Sequence, residues 1–420
     1  MAQSRARAAN DIGIGTRPAD LGSWDKLQLG WLDHETAVAG QQKTYALGPH
    51  EYSSDKAQGL VVVLPKKQVT RTLVPPKSGA RSWWSGSGND LRNTLTREVT
   101  LPAGTATLSF AANYDIEVDF DYAQVQVDAG QGFVSIPTSA TSVPTNNGID
   151  GSTGSAWVPV TADPSAYAGQ TVKVRFRYRT DGGAAGNDAD PGNNGFFVDD
   201  IAVVAGGVTV FSDGAEAGAG GWTAVGFKAV GSSVTGLYNH YYIATNRTYS
   251  SYDRYLRTGP YNFGFGAALP KKVEFFPYQP GLLVSYWDTS YDDNNTSQHP
   301  GAGLVLPIDS HPETLYNMDG QPWRGRIQTY DAPFSLRKAD SFTLHVNGLP
   351  SYVRGQAAQP LFDDTRSYLN PALPRVGVQT PGVGVTLRVT QQSGTSMSVR
   401  LDTSTAVSAA ASLRSARSAG

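Results

Sequence analysis

The chain has 420 residues, 40% hydrophobic and 17% charged, with a formal net charge of −2. That length supports two or three domains with cores of their own. The near-neutral balance, with no basic stripe among aromatics, excludes an electrostatic footprint for nucleic acid, and no apolar run approaches the roughly 20 residues of a membrane span.

There is no Cys, which removes disulfides, thiolate metal sites and cysteine nucleophiles. Secretion stays open, because many bacterial exoenzymes lack disulfides. Frequent Gly and Pro beside 20 Tyr and 8 Trp suit a turn-rich β protein, since aromatics pack well on pleated sheets. Met1 to Arg7 carries no hydrophobic stretch, so the chain as written has no signal peptide. For a composition of this kind, that reading points to a missing upstream part.

In chain order, residues 1–22 read as loop. Ser23 then stands as N-cap to a short amphipathic helix, with Asp25 in the first turn. Trp24, Leu27 and Trp31 recur at helical spacing and Gly30 marks the stop. Strands follow around Tyr45 to Leu47 and at Gly59 to Leu64, the second apolar throughout and so expected to be buried. Lys66, Lys67, Pro75, Pro76 and Lys77 mark a domain junction.

From about 81 to 205 short strands come at regular spacing: 97–101, 106–111, 122–127, 157–160, 171–178 and 195–204. Val172, Val174, Phe176 and Tyr178 alternate with Lys173, Arg175 and Arg177, giving one dry and one wet face. This pattern predicts a β-sandwich of jelly-roll type. Further strands are expected at 241–244, 281–286, 303–306 and 341–346, then a pair at 384–389 and 397–401. An Ala/Ser tail from 403 to 420 reads as disordered.

A zinc protease of the common type needs His-Glu-x-x-His on a helix, where two imidazoles one turn apart hold the metal and the Glu activates water. The nearest string, His34-Glu35-Thr36-Ala37-Val38, has Val38 where the second His belongs, and it reads as a surface loop. No two of the six His fall at i, i+4. His299 and His311 sit on loops among Asp288, Asp292, Asp293, Asp309 and Glu313, where a metal site assembled in space competes with plain structural histidines. There is no Gly-x-Ser-x-Gly elbow, no phosphate-binding loop, and no catalytic residue is assigned.

Calcium is better motivated, because it takes six to eight oxygen ligands from carboxylates and turn carbonyls. Asp199 and Asp200 follow an apolar run, and Asp213 and Glu216 come soon after. Glu117, Asp119 and Asp121 share one face if they lie on a strand, and would repel unless solvated or bound to a cation. The expected structural calcium ligands are Asp199, Asp200, Asp213, Glu216 and Glu117, set against solvated acids in turns. The loop from Asp181 to Asn194, with Asp188 and Asp190, is a weaker calcium candidate.

Several strings in order resemble the immune inhibitor A family of secreted bacterial zinc metallopeptidases. They are Ser23-Trp24-Asp25-Lys26 with Leu29-Gly30-Trp31-Leu32, Phe196-Phe197-Val198-Asp199-Asp200-Ile201, and Gly281-Leu282-Leu283-Val284-Ser285-Tyr286-Trp287-Asp288-Thr289. Asp293-Asn294-Asn295, His299-Pro300-Gly301 and Leu306-Pro307-Ile308-Asp309 add to them. The resemblance covers about residues 20–348.

It implies that the zinc-binding motif lies upstream of residue 1, so zinc is expected only in that absent catalytic domain. It also implies a mainly β fold with little helix, in which residues 23–66 and 236–348 form a discontinuous β-rich domain. A jelly-roll-like sandwich at 75–230 would be inserted in it, residues 1–22 being a loop remnant of the upstream domain. Residues 349–402 would supply C-terminal strands. The expected role is the non-catalytic part of an extracellular metalloprotease, whose partners are a protein substrate or the upstream catalytic domain. The alternative is an autonomous carbohydrate- or protein-binding module, with Trp83-Trp84 and Tyr241-Tyr242 as stacking faces for a glycan.

Overall fold

The computed structural model describes residues 19–183, 194–269 and 273–403. The expected loop over 1–18, Asp188, Asp190 and the tail beyond Thr403 lie outside them. The described chain is mainly β, with α-helices only at Ser23–Gln28 and Gly325–Gln328. It divides into two compact units, Gln68–Gly236 and Met1–Lys67 with Leu237–Gly420. Strands Lys67–Thr72 and Ser233–Tyr238, where the chain passes between units, pair with each other.

The unit Gln68–Gly236 has two antiparallel sheets around one core. One sheet runs Gly151–Ser152, Ala106–Ile116, Gly195–Ala205, Ser82–Trp84, Lys228–Val230, with Val158–Ala162 and Val208–Asp213 paired beside it. The other runs Thr223–Val225, Arg92–Thr100, Thr171–Arg179, Tyr122–Asp128, Val134–Ile136. The period-two reading of Thr171–Arg179 holds, for Val172, Val174, Phe176 and Tyr178 are all buried. On the wet face Arg175 and Arg177 donate across to Gln126 and Gln124. Phe176 meets Phe110 of the opposite sheet edge to face at 5.0 Å, so the two inner faces share one core. Gly195 takes φ +100°, and a Cβ there would fall 2.4 Å from the Gly86 carbonyl, so glycine is required where this strand begins.

The other unit is built on a five-stranded sheet in the order His34–Val38, Gly59–Val63, His240–Arg247, Gly281–Asp288, Val305–Pro307. The first pair is parallel and the rest antiparallel. A four-stranded sheet, Lys43–Leu47, Ser396–Thr403, Val385–Ser393, Leu361–Asp363, shares its core with the first through Leu47, Leu60, Tyr242, Phe362 and Leu387. A smaller cluster around Phe276, Trp323, Ile327 and Tyr330 packs under the loops between 305 and 353.

Two local readings are corrected. His34–Val38 is a strand, not a loop, paired with the apolar Gly59–Val63. The helix is capped by Gly22, whose N–H donates to Asp25 at 3.1 Å, and Ser23 is its first residue. Its buried positions are Ser23 and Lys26, whereas Trp31 is 62% exposed. The cause is a buried polar network. The Lys26 ammonium bonds Asp20 at 2.9 Å and the His50 carbonyl at 2.8 Å, and Asp253 receives the Asp20 N–H and the Arg247 guanidinium. An amphipathic pattern counts apolar side chains and is blind to a lysine turned inward toward paired acids.

Candidate metal centre

Of the five acids expected to hold calcium, four lie around the middle of the strand Gly195–Ala205. The register against Ala106–Ile116 slips between Asp199 and Ala202, and Asp200 takes φ +49°. This is a bulge, which re-aims the side chains around it. Asp199 is fully buried and accepts the N–H groups of Ser78 and Asp200 at 3.1 and 2.8 Å. Asp200 accepts from the Ser78 hydroxyl. Glu216 accepts from the amides of Ala80 and Arg81 at 2.7 and 2.8 Å. Asp213 accepts from the Trp83 indole at 2.8 Å and the Ala215 amide at 3.2 Å. Protein donors thus meet these carboxylates and tie segment 78–83 to the sheet. Burial raises the Asp199 pKa against its backbone hydrogen bonds.

Glu117 stands apart from those four. The strand ends at Ile116, and residues 118–120 form a turn. The Asp121 amide donates back to the Glu117 carbonyl at 3.2 Å, and Asp119 takes φ +70°. An i to i+4 turn brings the first and fifth side chains to one side and sends the middle one away. The expected strand of three acids therefore keeps Glu117 and Asp121, and Asp119 is exposed. Asp181, two residues past the strand Thr171–Arg179, completes the group. Glu117, Asp121 and Asp181 each offer a ligand atom within 4.8 Å of the others.

The described residues gather three such ligand atoms at one other place, Asp309, His311 and Asp331. Asp309 and His311 were visible as a loop pair, but Asp331 was not. It follows the short helix Gly325–Gln328, and the Ser310 amide and hydroxyl, donating to the Ala332 and Asp331 carbonyls at 3.0 and 2.9 Å, bring it in, a pairing with no periodic signature. His311 Nδ1 lies 3.0 Å from Asp331 and Nε2 lies 3.0 Å from the Ala357 carbonyl. The Ser310 hydroxyl also lies 3.0 Å from Nδ1, and the nearby carboxylates and carbonyl favour the protonated ring. Burial opposes its charge, but Asp331, Asp309 and the Ala357 carbonyl outweigh it and hold the His311 pKa above its ordinary value. Burial pushes Asp309 well above the carboxylate range, reinforced by the Asp331 charge, and raises Asp331 against the pull of His311.

This trio does not fit a catalytic zinc, which takes three protein ligands, commonly two or three of them imidazoles, and leaves an open position for water. Neither group of three contains two imidazoles. The other five histidines are engaged elsewhere: His299 with Asp293 at 2.9 Å, His345 with Glu274 at 2.8 Å, His240 with the Tyr286 hydroxyl at 2.9 Å, and His34 and His50 with the Leu32 and Leu21 carbonyls at 3.0 and 2.9 Å. No proteolytic step follows from the described residues.

The aromatic pairs offered as glycan faces are also resolved. Trp83 and Trp84 are 3% and 7% exposed, and Trp84 stacks on Phe197 at 5.7 Å. Tyr242 is fully buried, and Tyr241 stacks on Trp287 at 4.5 Å. Neither tryptophan presents a flat face to a sugar, because both strand faces here are covered.

Comparison with known proteins assigns both β units to one family. A family model described as immune inhibitor A-like, MAM domain, matches residues 43–232, and one described as immune inhibitor A-like metallopeptidase, VEG domain, matches 235–400. The chain belongs to the immune inhibitor A-like metallopeptidase family. It is similar to the Pre-pro-metalloprotease PrtV of two strains of Vibrio cholerae serotype O1, 32% identical over 403 residues, covering 92% of this chain and 41% of the relative. It is similar to Immune inhibitor A of Bacillus thuringiensis subsp. alesti, 28% identical over 369 residues, covering 86% of this chain and 50% of that one. The chain thus spans half or less of the relatives it matches. Among the described residues, no helix is long and apolar enough to cross a membrane.

Proposed function

We propose that these residues are the non-catalytic part of an extracellular bacterial metalloprotease, supporting a zinc domain and engaging its protein substrate. One observation carries the reading. The chain holds the MAM and VEG regions of a metallopeptidase family, yet neither ligand cluster among its described residues contains two imidazoles. A β framework whose histidines are engaged by internal partners can hold loops rigidly and offer surface to a substrate. Zinc chemistry, a Lewis acid with a bound hydroxide, would belong to residues outside this chain.

The test is metal analysis and a casein assay on the purified 420-residue chain. The expected result is no stoichiometric zinc and no chelator-sensitive hydrolysis. Bound zinc at one per chain with proteolysis lost on chelation would sink the proposal. A positive arm asks for binding. The same chain, immobilised, should retain a substrate that a whole family protease cleaves, and retention no better than an unrelated β protein gives would count against a substrate-engaging role.

A further inference from the structure

The cluster at Glu117, Asp121 and Asp181 sits at one end of the sandwich, where three chain segments meet. Glu117 leaves one sheet after Ala106–Ile116, Asp121 enters the other before Tyr122–Asp128, and Asp181 leaves that second sheet after Thr171–Arg179. Asp121 is fully buried. Its Oδ1 accepts the Asp181 amide at 2.9 Å, but its Oδ2 is buried with no hydrogen-bond partner. The buried Oε2 of Glu117 lacks one too, as does the hydroxyl of the fully buried Tyr178. None of the three acids forms an ion pair with Lys or Arg among the described residues.

Such an arrangement is costly without a counter-charge. A buried carboxylate oxygen with no donor loses its hydration for nothing in return, and like charges within 5 Å repel. Burial first, then Asp181 and Glu117, raise the Asp121 pKa to about 6, with only the charge of Arg179 and the Asp181 amide opposing. Elsewhere in this unit the buried Asp199 is met by amides, and the less buried Asp213 and the exposed Glu216 by an indole and by amides. Here the missing partner is a cation.

We propose that Glu117, Asp121 and Asp181 bind a structural calcium ion that ties the 117–121 turn to the end of the strand Thr171–Arg179. The donor set is all oxygen, which suits a hard cation rather than zinc or copper. Ligands on one calcium lie up to about 5 Å apart, twice the 2.3–2.6 Å bond length, as these do. Three carboxylates leave room for water and carbonyls to complete six to eight ligands, whereas magnesium demands a tighter octahedron. This site is independent of the proteolytic reading, and it differs from the Asp199 edge, whose carboxylates have protein donors.

The test is equilibrium dialysis of the purified, EGTA-stripped chain against radioactive calcium at fixed ionic strength. Asp121→Asn, Glu117→Gln and Asp181→Asn should each bind one calcium fewer than wild type, or bind it at least tenfold more weakly. Asp119→Asn and Asp199→Asn should match wild type. Thermal melts add a readout that a merely structural carboxylate would not give: Asp121→Asn should melt higher than wild type in EGTA, by relief of repulsion, and lower in calcium. Should Asp121→Asn fail to fold, the half-buried Glu117 carries the same measurement. The proposal is overturned if the wild-type chain binds no calcium at millimolar ion, if all five variants bind alike, if the ion is lost in Asp199→Asn and kept in Asp121→Asn, or if equimolar magnesium displaces it.

Discussion

Replacing His311 by Ala tests whether the unit built on residues 1–67 and 237–420 depends on a buried imidazolium. In the wild type that ring stands between Asp331, 2% exposed, and Asp309, 5% exposed. Removing it leaves two buried carboxyls with no cation between them. Breaking a buried pair by deleting one partner typically costs about 3–5 kcal/mol. The variant can recover part of that by protonating a carboxyl, which shifts the cost along the pH axis. With unfolded carboxyls titrating near 4 and the folded ones raised, the folded variant binds more protons above that pH. Its stability then falls as pH rises, by up to about 1.4 kcal/mol per unit for one proton. Wild type shares part of this carboxyl slope, since Asp309 and Asp331 are raised there too, while the His311 contribution is flat until pH reaches the unfolded His value, about 6.5. Above that it declines, because a raised His pKa contributes stability below the unfolded pKa and loses it through the folded one. Urea midpoints at pH 5, 7 and 8 read both curves. The expected loss is about 3–5 kcal/mol at pH 7, smaller at pH 5, and relieved by adding Asp309→Asn. A loss below 1 kcal/mol, equal at all three pH values, would show that the ring is neutral and the pair merely packed.

Three further outcomes follow from single residues. In EGTA, Asp121 should make its unit less stable as pH rises from about 4 to 6, since its folded pKa lies above the unfolded value. The groups facing it are Glu117, Asp181, Arg179, Tyr178 and Tyr122, and Asp121→Asn should flatten that window in a chelated pH–melting series. Glu51, buried and bonded to Thr248 through both the amide and the hydroxyl at 2.7 and 2.8 Å, has its pKa raised to about 7, chiefly by burial. Stability of its unit should therefore fall between pH 4.5 and 7 by up to about 1.4 kcal/mol per unit, and Glu51→Gln should remove that slope in urea titrations. Trp84→Ala deletes an indole that stacks on Phe197 and donates to the Asn194 carbonyl at 3.0 Å. The expected cost is about 3–5 kcal/mol; an unchanged urea midpoint would mean that the ring packs poorly and is free to serve a ligand.

What was legible in the sequence was whatever repeats with a short period. The alternation from Val172 to Tyr178 and the unbroken apolar run at Leu60 to Val63 named a wet-and-dry strand and a buried one, and both stand where expected. Family membership was equally legible, because it rests on ordered strings such as Phe196 to Ile201 that survive any uncertainty about their neighbours. What failed was side-chain direction at irregular backbone. The strand reading of Glu117, Asp119 and Asp121 assumed an extended chain, and one positive-φ residue at Asp119 replaced it with a turn. A bulge at Asp200 gave the acids of the next strand to the amides of 78–81. In both cases the partners of the carboxylates were not legible, since Asp181 and Ser78 are brought in by pairing across 60 and 121 residues. The difference between the two sites is then a matter of donors rather than of acidity. Where the backbone offers N–H groups, an acidic cluster is a brace, and where it leaves a buried oxygen bare, as at Asp121, the proposed calcium would take the place of the missing donor.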